Sequence, residues 1–347
     1  MKLYLKMLAT VCMLACLSGL PSTVDAGVIF GNAGLAGGFR WDAAPRILGG
    51  LERSLNGGLR YSLQGGSFLA YRNSFSWSGP VPTVAAFQQA VEQAFAAWTV
   101  VDPVSGFGTA VSFTADLATA VDGNVVGGVR QGAEIDLFAT DLNDNGTRGF
   151  TSFNATGTPV TLTSGTVNYA GSAPISGADV TMNSNAGALY TLDVFRRLLT
   201  HELGHAIGLG DVEGSINPGV FIDDNYDPTN SATALATLTN TWAALVNPLN
   251  PAASVGLGLF FVANADPGVD TPGVNILMES EGLGIAAGPP NPNPVTNLTP
   301  LTNDDYGTRQ FLYPSLTAIP EPSTLILLVV GVFGILGYGW RRQKQAR

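Results

Sequence analysis

Apolar positions recur at helical spacing in two stretches of the chain. Val84, Phe87, Val91, Phe95 and Trp98 share one face of the segment from Pro82 to Val100, which predicts an amphipathic helix with its aromatic side chains in the core. A second helix is predicted from about Leu192 to Ile207. Leu192, Phe195, Leu199, Leu203 and Ala206 form one apolar stripe there, and Val194, Leu198, His201 and His205 lie on the opposite side. Both faces are thus occupied, one by core and one by side chains with chemistry to offer. Leu59–Leu63 alternates apolar and polar residues and predicts a strand. Val111–Thr114, Glu134–Ala139 and Ala178–Met182 are further strand candidates, the last placed just before the second helix. Residues 211–273 show little periodicity apart from a helical stretch at Ser231–Val246. Ala286–Pro300 is rich in Pro and Asn and predicts an irregular loop. A last helix is predicted from Thr302, with Asp305 three residues on, to about Tyr313 before Pro314. Strands interspersed with helices predict a mixed α/β (α+β) domain.

The two ends read differently from the middle. Residues 1–26 have a basic start (Lys2, Lys6), an apolar run from Met7 to Leu20, Pro21, and Val24-Asp25-Ala26 before Gly27, the pattern of a secretory signal peptide. The run is shorter than the roughly 20 residues a membrane span needs. Residues 27–38 are Gly-rich and predict a flexible leader. At the other end, Leu325–Trp340 is apolar and is followed by Arg341, Arg342, Lys344 and Arg347, which predicts a transient transmembrane anchor with a basic inner flank. Pro320-Glu321-Pro322 stands just ahead of it. Pro-Glu-Pro, an apolar helix and an Arg-rich cluster, in that order, resemble the PEP-CTERM sorting signal of Gram-negative bacteria. The resemblance implies recognition by an exosortase-type enzyme, and delivery to the cell envelope, the surface or the extracellular matrix.

Composition changes the picture in two ways. Both cysteines, Cys12 and Cys16, fall in the signal peptide, so disulfides and thiol chemistry are excluded from the remainder. The chain carries 16 basic and 26 acidic residues; with Lys2, Lys6, the four basic tail residues, Asp25 and Glu321 set aside, ten basic residues, all Arg, face 24 acidic ones. A net charge near −14 argues against nucleic acid or an anionic membrane surface as a partner.

The decisive segment is His201-Glu202-Leu203-Gly204-His205-Ala206-Ile207-Gly208-Leu209-Gly210-Asp211. Two His four apart on a helix stand one turn above each other, so both imidazoles can reach one ion. Glu202 projects beside them as a candidate general base. Gly208 permits the positive φ that ends a helix and turns the chain back. Asp211 then arrives where a third ligand is needed, leaving a fourth position for water. The chain holds only two His, both in this motif, so the third ligand is Asp211 or a more distant carboxylate.

This segment resembles the HExxHxxGxxH zinc motif of metzincin peptidases, with Asp in the last place as in the snapalysin-like members. Other segments resemble the matrixin branch. Phe39-Arg40-Trp41-Asp42 with Leu59–Leu63 is similar to the opening of that catalytic domain, and Ala94–Trp98 to its first helix. Ala178–Met182 resembles its substrate-pairing edge strand, Asn275–Met278 its Met-turn with Met278 beneath the zinc, and Leu301–Tyr313 its terminal helix. The resemblance implies a metzincin-like domain over residues 39–314: a twisted mixed sheet, an active-site helix, a C-terminal helix, an insertion at about 212–273, and a linker and sorting segment over 315–347. It implies a zinc endopeptidase acting on a peptide or protein substrate, with Zn2+ on His201, His205 and Asp211 and with Glu202 as general base. Met278 as an ordinary core residue stays open, as does the alternative of an inactive, zinc-stabilised surface or matrix binding protein. Asp141, Asn143, Asn145 and Gly146 match the first half of a Ca2+ loop, yet Ser152 stands where that loop has Glu. Asp223, Asp224 and Asp227 form another oxygen-rich cluster. Both clusters read equally as solvated polar turns.

Overall fold

Three hydroxyl residues start three helices. Ser67, Thr83 and Thr191 have extended backbones, and their side chains accept the N–H groups of Ala70, Ala86 and Val194. The helices that follow are α1 (Phe68–Asn73), α2 (Val84–Ala97) and α3 (Leu192–Ala206). The structure is a computed structural model. It describes residues 28–30, 38–100, 107–157 except 145, 159–162, 171–210, 219–222, 259–262, 277–278, 305, 308–309 and 312–318.

The strands in chain order are β1 (Val28–Ile29), β2 (Phe39–Arg40), β3 (Ile47–Leu48), β4 (Leu51–Glu52), β5 (Leu59–Leu63), β6 (Phe107–Thr109), β7 (Phe113–Ala115) and β8 (Val125–Val126). They continue as β9 (Val129–Arg130), β10 (Ile135–Thr140), β11 (Gly149–Ala155), β12 (Ala173–Asn183), β13 (Gly219–Ile222), β14 (Leu259–Val262) and β15 (Pro314–Ala318). The main sheet runs β11-β12-β10-β5-β7, with β2 added to the start of β12. Every pairing in it is parallel except β11 with β12. The domain is therefore mixed α/β with a mostly parallel sheet and few helices.

All eleven residues of β12 are buried, as a strand covered on both faces must be. On one face, Leu63, Ile135, Leu137, Ala178 and Val180 join the core shared with α2 and α3. The Trp98 indole N–H, at the end of α2, donates to the Thr200 carbonyl of α3 at 2.8 Å and ties the two helices together. Beneath the start of α3, the Phe195 ring lies 5.0–5.8 Å from those of Phe75, Trp77, Phe87 and Tyr190. Burying one such ring is worth about 1.5–3 kcal/mol. The other face carries a polar row set by register: Ser62, Asp136, Asp179 and Ser152 are successive partners across β5, β10, β12 and β11. Asp136 accepts from the Ser62 hydroxyl at 2.5 Å and from the backbone N–H groups of Asp122 and Ala133. Asp179 is ion-paired with Arg130.

Residues from the two ends of the domain close over the end of α3. The Arg40 guanidinium donates to the Leu312 carbonyl at 2.9 Å, and the Trp41 indole to that of Ala206 at 3.0 Å. The Tyr313 hydroxyl accepts from the Trp41 N–H and donates to the Ile207 carbonyl at 2.6 Å. Of the predicted C-terminal helix, Asp305, Thr308, Arg309, Leu312 and Tyr313 are described, and all but Tyr313 are helical.

The structure corrects the edge-strand expectation and adds detail to three others. Ala178–Met182 lies inside β12, second from the edge; the edge strand beside α3 is β11. A strand rich in buried apolar residues belongs in the sheet interior, whereas β11 is only half-buried and suits an edge. The leader is not wholly without structure, because Val28–Ile29 pairs with β13 and Ile29 is fully buried. The weakly periodic stretch after residue 211 contains β13 and β14, which pair with each other; the helix expected at 231–246 lies outside the described residues. Residues 315–318 are not linker but continue β15, which pairs with β6. Among the described residues no helix is long and apolar enough to cross a membrane, and the apolar segment 325–340 lies outside them.

Candidate metal centre

The last two turns of α3 carry the motif, and a glycine ends it. Gly208 adopts φ +101°, its N–H returns to the His205 carbonyl, and the Leu209 N–H returns to that of Gly204. A side chain at 208 would also collide with the Phe39 carbonyl, so position 208 requires glycine on two counts. The turn brings the Leu209 carbonyl back over α3, where it lies 2.9 Å from His205 Nδ1. His201 Nδ1 lies 2.6 Å from the Leu277 carbonyl.

These two contacts fix the imidazole tautomers. A carbonyl only accepts, so each Nδ1 carries a proton, and Nε2 is the atom left to bind a metal ion. The two Nε2 atoms face each other at 3.0 Å, with the rings at 87°. Two nitrogens this close are joined by a shared proton or by a metal ion. Two nitrogens on one tetrahedral zinc stand about 3.3 Å apart, from Zn–N bonds of roughly 2.0–2.1 Å. Anchoring each Nδ1 on a carbonyl is also the usual support of a metal-ligating histidine. The residues present thus fit a zinc ion. Asp211 lies outside the described residues, and among those described no third His, Cys, Asp or Glu joins the pair.

Glu202 is buried beside them, at 3% exposure. Its Oε2 lies 2.8 Å from the Thr151 hydroxyl of β11, and its main-chain oxygen 2.9 Å from the same hydroxyl. Met278 is buried against Gly204, where an added methyl would stand 2.5 Å from the sulfur and 2.9 Å from the Trp98 ring. Asp305 accepts the Leu277 N–H at 3.3 Å and so braces the turn that holds His201. The Phe30 ring lies 5.3 Å from His205.

The structure brings His201 and His205 together; Glu202, next to His201 in the chain, reaches Thr151, and Met278 packs against Gly204. Thr151 and Phe30 carry no motif, and the motifs that contain Asp305 and Leu277 give no sign that Asp305 braces the turn or that the Leu277 carbonyl anchors His201. The loop proposed for calcium stands apart. Asp141 accepts from the Asn143 N–H and the Asn185 amide, and these hydrogen bonds hold its carboxyl below the usual range. Asn143 takes φ +54°, the left-handed turn conformation that Asn tolerates. Asn145, Asp223, Asp224 and Asp227 lie outside the described residues.

The family described as the PEP-CTERM protein-sorting motif matches residues 318–343. This segment is a signal for export and sorting to the cell envelope of Gram-negative bacteria, and exosortase is the enzyme that recognises it. No curated protein matches the chain.

Proposed function

We propose that this chain is an exported zinc endopeptidase of the metzincin type, held by its C-terminal signal for delivery to the envelope or matrix. The observation that carries this reading is the pair of carbonyl-anchored imidazoles meeting at 3.0 Å beside a buried glutamate. His201 and His205 would hold the ion, with Asp211 as third ligand. Zinc there would supply Lewis-acid polarisation of a scissile carbonyl and a more acidic water. Glu202 takes the proton of the attacking water and passes it to the leaving amine. A peptide in extended form would add to the outer edge of β11, the strand that reaches Glu202.

Glu202→Ala separates binding from chemistry. The variant should keep its zinc while peptide hydrolysis falls by about 10²–10⁴-fold or more, the usual loss when such a base is removed. Chelation of the parent should abolish hydrolysis, and added zinc should restore it. Hydrolysis by Glu202→Ala at the parent rate would refute the assigned base. A parent that binds zinc and cleaves no peptide library would favour the binding-protein alternative.

A further inference from the structure

We propose that Thr151 is a positioning residue for Glu202, an inference that rests on the peptidase reading above. A threonine hydroxyl has one proton to give. Both acceptors within its reach, Oε2 and the main-chain oxygen, belong to Glu202. Donated to Oε2, the nearer and charged acceptor, that proton holds the end of a three-torsion side chain beside its own backbone, removing freedom that would otherwise be lost on the way to the transition state.

The neighbouring residue on the same face of β11 completes the arrangement. Gly149 is two residues before Thr151, so both look toward α3. A methyl at 149 would stand 3.1 Å from Glu202 Oε1 and 3.4 Å from its Cγ. One carboxylate oxygen is thus tied to a hydroxyl, and the other lies over a position that lacks a side chain. The base is confined to one orientation by a strand whose outer edge carries no partner among the described residues. The strand offered to the substrate is therefore also the strand that aims the base, and pairing a peptide to β11 stiffens both.

Thr151→Val tests this, because it keeps the β-branched shape and removes the donor. The expected result is a kcat lower by roughly 10- to 100-fold, the size of a hydrogen bond to a charged group expressed as a rate. KM and zinc content, measured by elemental analysis, should match the parent. Thr151→Ser, which restores the hydroxyl, should recover kcat to within a few-fold. If the Val variant does not fold, Thr151→Ala answers the same question. A donor-free variant with the parent kcat overturns the proposal, as does a Ser variant no better than Val. Loss of zinc from a folded Val variant also overturns it, since Thr151 would then be serving the metal site. A zinc-loaded parent without activity removes the peptidase reading itself, and this assignment with it.

Discussion

His201 Nδ1 and the carbonyl oxygen of Leu277 lie 2.6 Å apart, although 76 residues separate them in the chain. That contact makes the turn at Leu277–Met278 a support of the His201 imidazole, and so of the proposed metal centre. The turn in turn leans on Asp305 through the Leu277 N–H.

Removing this brace should loosen the ion without unfolding the domain. Asp305→Ala is expected to weaken zinc affinity by roughly tenfold, the low end of what outer supports of metal ligands contribute. Competition with a chromogenic chelator measures it. Unchanged affinity would show that the Leu277 carbonyl is held without Asp305.

Asp211 can be tested as the third ligand through the same measurement. With no other histidine in the chain, Asp211→Ala should lose zinc on gel filtration, while Asp211→His should retain it. Full zinc occupancy in the Ala variant would move the third ligand to another carboxylate.

Gly204 has no room for a side chain. Gly204→Ala places a methyl 2.5 Å from Met278 Sδ and 2.9 Å from Trp98, and should cost about 1–3 kcal/mol in urea unfolding. Met278→Ala relieves the first contact but not the second and opens a cavity of its own, so the double variant should be less destabilised than the sum of the two single variants. A fully stable single variant would mean that Met278 does not pack beneath the helix as described.

The polar row on the far face of the sheet predicts a pH effect of definite sign. Burial pushes the Asp179 carboxyl up to about 6; Arg130 opposes this, and Asp136 and Asp122 add to it. Burial raises Asp136 as well. The folded chain therefore holds the Asp179 proton more tightly than the unfolded chain does. Its contribution to stability is present near pH 4 and is lost as pH rises toward 6. The stability of the parent relative to Asp179→Asn should accordingly fall between pH 4 and pH 6. A relative stability that rises over that interval would show that the ion pair with Arg130 dominates.

Much of the frame is legible in the sequence because it rests on local periodicity. Helix α3 spans Leu192–Ala206 against an expected Leu192–Ile207, α2 lies inside Pro82–Val100, and β5 coincides with Leu59–Leu63. The short α1 carries too few turns to show a period. Strand order is a long-range property that a local resemblance does not carry: Ala178–Met182 resembles an edge strand, yet β12 lies one strand in. The motif marks His201, Glu202 and His205 because their spacing is their chemistry. What supports them is invisible by the same logic: a backbone carbonyl has no letter of its own, and one threonine in Gly-Phe-Thr-Ser-Phe looks like any other.

The pairing of β15 with β6 sets the length of the tether. The fold continues to Ala318, and the apolar run of the sorting segment begins at Leu325. Six residues lie between them, and the seven steps from Ala318 to Leu325, fully stretched, span at most about 25 Å at roughly 3.3–3.6 Å each. A bilayer that took up that run would hold the folded domain close above its surface, and an enzyme cutting between the two would work in a gap narrower than a small domain.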